Sequence, residues 1–484
     1  MAVEELRVSD PRLVFTAEMS PFDFLQHRGE SDPRGRSAIM SVSLLDTNPG
    51  IDAVRAAFDR TSRVVVRLRQ RVVIPSVPVA PAQWFVDPDF DLTYHVRRVR
   101  APSPGQLRDV LDLASTAMST PLDAKRPLWE AILVEDVDID GASAALLLKI
   151  SHAMSDGVGA VELWRHLYDF ERDPDRGPLP ILPVPEDKAP GDLVSAALRR
   201  ALLRGGLDVG RSVAGAVGRA AEVLRSPVET VESVRKMAGS LRRVASTPQG
   251  TPSPLLRRRG LGRRFDVLDV PFADLRGAAA AADGTVNDAY VASVCGALRR
   301  YHEELGVPVD DLPMAIPVNI RGADDPPGGN RIAGITFAAP IGITDPLERI
   351  AAVRDIVRPA VAEPAIVAFD AVAPALRYVP APILSAMGSK GPALDAQASN
   401  LRGYDDPTYF AGAQLVDTYW FGPLLGVAVM AVVYSQAGTC HIGVHADTAA
   451  VADGDTFARC LREGFDEVLD AGRRKPAARK ARRA

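Results

Sequence analysis

The stretch Ala144-Ala145-Leu146-Leu147-Leu148-Lys149-Ile150-Ser151-His152-Ala153-Met154-Ser155-Asp156-Gly157 decides how this chain is read. Residues 144 to 150 are apolar apart from Lys149, which predicts an interior strand. After Gly157, Val158, Val161, Trp164 and Leu167 recur at helical spacing. Ser151 to Gly157 is therefore a strand-to-helix connection, the kind of place where binding and catalytic groups are carried. His152 stands at its start. An unperturbed imidazole titrates near ~6.5, so it can accept a proton at neutral pH. The plainer reading also stands: a histidine at a strand end can be a satisfied polar group, and Asp156 an ordinary helix N-cap.

Working outward, the 484 residues leave room for about two to three domains. Hydrophobic residues make up 47% and charged residues 24%, which suffices for a core without disulfide or metal staples. A net charge of -4 argues against a general nucleic-acid binder, which needs a basic field. Cys295, Cys440 and Cys460 are far apart and match no metal spacing, so buried reduced thiols are expected. The acidic start Met1 to Arg7 shows no secretory pattern. The apolar run Tyr419 to Tyr434 is too short to span a bilayer and is broken by Gly422, Pro423 and Gly426. It reads as a buried strand after a turn, in a protein that is soluble or peripheral to a membrane.

Four segments follow. Residues 1–185 mix strands and helices, with Val64 to Val73 an amphipathic strand or short helix and Leu107 to Met118 helical. Ala131 to Val137 and Ser143 to Ile150 form two strands about Asp140-Gly141. Residues 186–262 are a basic connector whose stretches Leu193–Leu203, Val213–Leu224 and Val228–Leu241 look helical. These helices either pack on the domains or rest on an anionic membrane. Residues 263–472 resume the α/β pattern, with helices over Val286–Tyr301, Pro346–Arg358 and Phe457–Leu469. That segment also holds a strand at Leu312–Ile320 and a hairpin about Gln436-Ala437-Gly438. Residues 473–484 are a basic tail expected to be disordered.

Other chemistry is poorly supported. His441 and His445 have metal-like spacing for a helix, but the residues between them read as strand, where positions four apart are ~13 Å apart. No nucleophile elbow surrounds Ser155, which reads as a loop hydrogen-bonder, and no P-loop or dinucleotide fingerprint is present.

His152-x-x-x-Asp156-Gly157 after an apolar strand resembles the signature of the CoA-dependent acyltransferase superfamily. Further elements resemble the wax ester synthase/diacylglycerol acyltransferase family in its order. They are Ser20-Pro21-Phe22-Asp23, Asp89-Phe90-Asp91 with His95-Val96, Pro127-Leu128-Trp129, Asn287-Asp288, Pro317-Val318-Asn319-Ile320-Arg321, Gly329-Asn330 and Ser399-Asn400. Several matches in series are more specific than any one.

That resemblance implies an α/β fold of two chloramphenicol-acetyltransferase-like halves, mixed sheets flanked by helices, with the active site in a channel between them. It implies that His152 is the general base of an acyl-CoA-dependent O-acyltransferase that esterifies diacylglycerol or a long-chain fatty alcohol. Acyl-CoA would be a substrate, and no cofactor or metal is expected. Asp156, paired with Arg321, would shape the loop with Gly157; Asn287 would be a polar group of the site. Pro127-Leu128-Trp129 would be packing. The hydrophobic acceptor implies a cytoplasmic protein that touches the inner membrane or lipid droplets. The chain departs from the family at Ser151, where a first histidine is usual, and at Leu401-Arg402-Gly403 after Ser399-Asn400. A different secondary alcohol as acceptor, and a lipid-binding relative weakened by Ser151, are the alternatives.

Overall fold

The computed structural model describes residues 15–77, 80–155, 161, 163–204, 250–319, 332–361 and 394–473. Its strands in chain order are β1 (Ala38–Leu45), β2 (Gln70–Val73), β3 (Gln83–Val86), β4 (Val96–Arg100), β5 (Trp129–Glu135) and β6 (Ala144–Ser151). They continue as β7 (Arg263–Pro271), β8 (Leu312–Asn319), β9 (Ile332–Ala339) and β10 (Ala396–Arg402). The last are β11 (Tyr409–Phe410), β12 (Ala413–Phe421), β13 (Val429–Gln436) and β14 (Thr439–Asp447).

Two mixed six-stranded sheets result, ordered β11-β12-β1-β6-β5-β4 and β7-β14-β13-β10-β8-β9, beside the small pair β2-β3. In the first sheet β4 runs parallel to β5; in the second β10 runs parallel to both β8 and β13. The α/β class read from the sequence is the class observed.

The apolar run that opened the reading is β6, buried along its whole length. It is antiparallel to β1 and to β5, so its continuous apolarity does not come from a parallel sheet. Both its faces are covered. Successive side chains of a strand point to opposite faces. Leu146, Leu148 and Ile150 enter a core with Phe58, Trp129 and Trp164, while Ala145 and Leu147 enter another with Val110, Leu111, Phe265 and Phe421. This second core joins the two sheets. The helix Leu107–Ser119 lies there, its buried stripe Val110, Leu111, Ala114, Ser115 and Met118 matching the helical period.

The two sheets also exchange chain. β12 pairs with β1, Met40 opposite Phe421, although the next strand, β13, belongs to the second sheet. The crossing runs through Gly422 to Ala428, with Leu425 and Gly426 at positive φ. This explains the Gly and Pro residues inside the apolar run Tyr419–Tyr434: its first three residues end β12, and only the part after the break is the expected strand. The hairpin expected about Gln436-Ala437-Gly438 is observed: β13 and β14 are antiparallel neighbours, and Ala437 and Gly438 both have positive φ.

Among the described residues, four helices cover the second sheet: Phe272–Ala281, Val286–Glu304, Pro346–Val361 and Gly454–Arg473. Val286–Glu304 starts at a capping box, Thr285 and Asp288 each satisfying the other's backbone N–H. It packs so closely on Gly454–Arg473 that a Cβ at Gly464 would collide with the Ala297 backbone. Arg349 is fully buried there; it donates to Ala292 O and Ile343 O at 2.8 Å and pairs with Glu467. Of the connector, Pro190–Arg204 is helical as read; residues 205–249, with the other two expected helices, and the tail 474–484 lie outside the described residues. Val64–Val73 proves to be three things in turn: a helix end, a 3-10 turn over Val66–Arg69, and β2.

Candidate active site

His152 is the first residue beyond β6, and its backbone is pinned from both sides. Ser151 N donates to Leu128 O at 2.9 Å and His152 N to Ser37 O at 3.1 Å. Met154 N then turns back to Ser151 O at 2.9 Å, so the chain leaves the strand in a tight turn. The pinning comes from β5's approach on one side and the residue before β1 on the other.

Ser151 is buried, and its hydroxyl takes part in this turn. Its Oγ donates to Glu30 Oε1 at a long 3.3 Å and accepts from Ala153 N at 3.3 Å. The same Glu30 oxygen accepts from Ser37 N at 3.1 Å and Ser37 Oγ at 2.8 Å. Glu30 caps the helix Pro21–Gly29, which opens with Ser20 accepting from Asp23 N and Pro21 in its first turn. The opening motif of the sequence thus delivers a carboxylate to the root of the histidine loop. Sequence reading missed Glu30, which lies 121 residues from Ser151. Its only local mark is its place after a Ser-Pro helix start.

Two residues inside β6, Lys149 is buried without being idle. Its Nζ donates to Ala117 O at 2.7 Å, Thr120 O at 2.5 Å and Glu130 Oε1 at 2.9 Å. Burial lowers its pKa, and the Glu130 carboxylate opposes that. Lys149 thereby ties β6 to β5 and to the end of the helix Leu107–Ser119.

The remaining histidines are differently placed. His27, His95, His302, His441 and His445 are buried, His166 is exposed, and His152 lies between. His95 stacks between Phe90 and Trp129 and donates from Nδ1 to Trp129 O at 2.7 Å. Burial pushes its pKa down to about 4. His302 donates to Leu298 O at 2.7 Å and accepts from Ser253 Oγ at 2.6 Å. His445 donates to Gly422 O at 2.8 Å, and burial lowers it to about 3. These are core groups with assigned partners.

His441 and His445 lie on β14, a strand as read. His441 nevertheless has company from other strands. Its Nδ1 donates to Asp269 Oδ1 at 2.7 Å and lies 3.8 Å from Asp417 Oδ1; Tyr419 OH donates to Asp269 Oδ2 at 2.7 Å. Ligand atoms of Asp269, Asp417 and His441 fall within 4.8 Å of one another, so this trio could hold a cation. As it stands it is a hydrogen-bonded junction of β7, β12 and β14.

Asn287, in the first turn of Val286–Glu304, accepts from Asn400 Nδ2 at 3.4 Å. The structure therefore joins two of the sequence elements, Asn287-Asp288 and Ser399-Asn400. Trp129 is packing, as read: its Nε1 donates to Leu68 O at 2.7 Å and its ring stacks on Phe58. Ser155 is buried, and its Oγ has no hydrogen-bond partner among the described residues. Asp156, Gly157, Arg321 and Asn330 lie outside the described residues.

Comparison with known proteins matches this chain along most of its length. The model of the wax ester synthase/diacylglycerol acyltransferase catalytic domain matches residues 15–290, and that of the family's C-terminal domain matches residues 328–468. A Mycobacterium tuberculosis H37Rv protein, provisionally named a diacylglycerol O-acyltransferase, is 46% identical over 95% of this chain and 92% of its own. Among solved structures, the wax ester synthase/diacylglycerol acyltransferase from Marinobacter aquaeolei VT8 superposes with a TM-score of 0.61 at 20% identity, covering 94% of this chain and all of that one (100%). The starter condensation domain of rhizomide synthetase, solved with C8-CoA and Leu-SNAC, has a TM-score of 0.57 at 14% identity over 94% and 95% of the two chains. At those identities the structural likeness concerns the fold alone. With both family domains matched in sequence order and a near relative covering almost its full length, this chain belongs to the wax ester synthase/diacylglycerol acyltransferase family.

Proposed function

We propose that this acyltransferase moves a fatty acyl group from coenzyme A to the hydroxyl of diacylglycerol or a long-chain fatty alcohol, with His152 as general base. One observation carries the assignment of the base: within the matched catalytic domain, His152 is the histidine held half-exposed on a pinned turn at a strand end.

A neutral hydroxyl is a weak nucleophile until its proton is removed. In this reading a ring nitrogen of His152 takes that proton as the alcohol oxygen bonds to the thioester carbon. The tetrahedral intermediate collapses, the C–S bond breaks, and the imidazolium returns the proton to the departing CoA thiolate. The intermediate's oxyanion needs a donor, and the Asn287 amide is our candidate. Asp156, Gly157 and Arg321 hold the far side of the loop in this scheme, a planar guanidinium–carboxylate pair being stiffer than a lysine equivalent. The site would open to a channel between the halves, so that donor and acceptor meet at His152. Both acceptors are apolar and reside in lipid, so contact with a membrane or lipid-droplet surface belongs to the same reading. No helix among the described residues is long and apolar enough to cross a membrane.

The test is CoA release from palmitoyl-CoA with diacylglycerol or hexadecanol, with His152→Ala alongside. Loss of a positioned base should lower turnover by ~10²–10⁴-fold. Turnover that survives the substitution removes His152 from the mechanism. The acceptor that supports release identifies the alcohol class.

A further inference from the structure

We propose that a basic cavity beside the histidine turn is the subsite for the phosphorylated end of the coenzyme A donor. The cavity measures about 250 Å³ and is built where the two sheets meet. Arg34 and Arg36 line it from the segment leading into β1, Ser119 from the end of the helix Leu107–Ser119, Arg263 from the start of β7, Leu424 from the sheet-to-sheet crossing, and His445 from β14. A pocket that encloses a whole drug-sized ligand is usually ~300–1,000 Å³, so this one suits a piece of a larger molecule.

Its charge is one-sided. Three arginines line the space and, among the described residues, no carboxylate does. The exposed Arg34 side chain has no carboxylate partner among the described residues, and Asp32 spends its Oδ1 on the Arg34 backbone N–H at 3.0 Å. Arg36 donates through one terminal nitrogen to Ser119 O, while its Nε is buried with no acceptor among the described residues. Arg263 donates through Nη1 to Gly260 O and Gly262 O at 3.1 Å and lies 3.5 Å from Asp447, a carboxylate shared with Gly260 N at 2.8 Å and Ala449 N at 2.9 Å. Burial disfavours the charged form of Arg263, the Asp447 carboxylate opposes that, and the nearby Arg34 charge adds to the burial effect. A buried donor without acceptor and two like charges in one recess are stabilised by an anion, and guanidiniums suit phosphate oxygens in particular.

The cavity adjoins the histidine turn along the chain. Ser37, whose carbonyl accepts from His152 N, sits between Arg36 and Ala38, both of which line the cavity. An anion bound there lies beside the catalytic turn without occupying it. This inference rests on the coenzyme A reading above, in which the donor alone is anionic: diacylglycerol and fatty alcohols carry no charge.

The test measures binding, so it does not depend on turnover. CoA and pantetheine are titrated by calorimetry into the full chain, into Arg34→Ala and into Arg34→Glu, with thermal unfolding as a check on folding. Arg34 is exposed, so both variants should fold. The CoA Kd should rise roughly tenfold in Arg34→Ala and further in Arg34→Glu, the loss expected for charge-assisted hydrogen bonds. Pantetheine, which lacks phosphate, should bind all three alike. If the wild type binds CoA and both variants bind it equally well, the subsite is wrong while the donor assignment stands. If the wild type binds no CoA, both fall. Binding to phosphatidylglycerol vesicles forms a separate arm: loss there with CoA binding unchanged would give the cavity to a lipid headgroup and overturn the proposal.

Discussion

Ser151 Oγ donates to Glu30 Oε1 across 3.3 Å, joining the end of β6 to the cap of the first helix. Ser151, where the sequence resemblance leads one to expect a first histidine, is therefore not an idle gap. Its hydroxyl shares with Ser37 a carboxylate that holds the root of the His152 turn.

Glu30→Ala should therefore act on both stability and rate. It leaves Ser37 N and two hydroxyls without their acceptor, at a cost of about 1–3 kcal/mol. Urea unfolding checks this, and Glu30→Gln, which keeps one acceptor oxygen, should lose less. Turnover should fall through kcat more than through KM for the acyl donor, because the change shifts His152, the proposed base, and not the proposed anchor of the donor. An unchanged unfolding midpoint with unchanged kcat would mean that the carboxylate does not hold the turn.

A second prediction concerns Glu467. Arg299 and Arg300 reach its Oε2 at 3.0 and 2.6 Å, and the fully buried Arg349 reaches its Oε1. These contacts tie Val286–Glu304 and Pro346–Val361 to Gly454–Arg473. Glu467→Ala strands a buried guanidinium and should cost about 3–5 kcal/mol in urea unfolding. Glu467→Leu with Arg349→Met together should recover much of that loss, since an apolar pair removes the stranded charge.

Acid should destabilise the fold before the carboxylates titrate. Burial lowers His27 and His95 to about 4 and His445 to about 3, from 6.5 in the open chain. Below pH 6.5 the unfolded chain takes up protons that these folded residues refuse, so stability falls as pH drops towards 4. With three such residues the slope approaches about 4 kcal/mol per pH unit at its steepest. Asp266 and Asp395, whose carboxyls burial pushes upward, oppose this only nearer the carboxylate range. Urea midpoints at pH 7, 6 and 5 should decline in order; a flat series would mean that these imidazoles are open to water.

What the sequence made legible was local. An apolar run ending at Ser151 marked a strand, helical spacing marked Leu107–Ser119 and Val286–Glu304, and Gly438 marked a hairpin, because each signal lies within a dozen residues. The turn bearing His152 was readable for the same reason. Glu30 was not, since nothing near it indicates a serine more than a hundred residues away. Nor was the union of β12 with β1, because strand pairing depends on partners that no local pattern names. His441 shows the same limit: its spacing to His445 was rightly discounted because both lie on a strand, while its real neighbours, Asp269 and Asp417, come from other strands.

The union of β12 with β1 also bears on how the molecule is made. While the ribosome is still extending the chain, β1 can pair with β6 but has no partner on its other side until residue 421 has emerged. For most of synthesis the first sheet thus carries a naked edge, open to strands from other nascent copies. Completion of the early part of the protein is deferred to its last fifth, so a ribosome that stalls in between releases a sticky intermediate in place of a finished half.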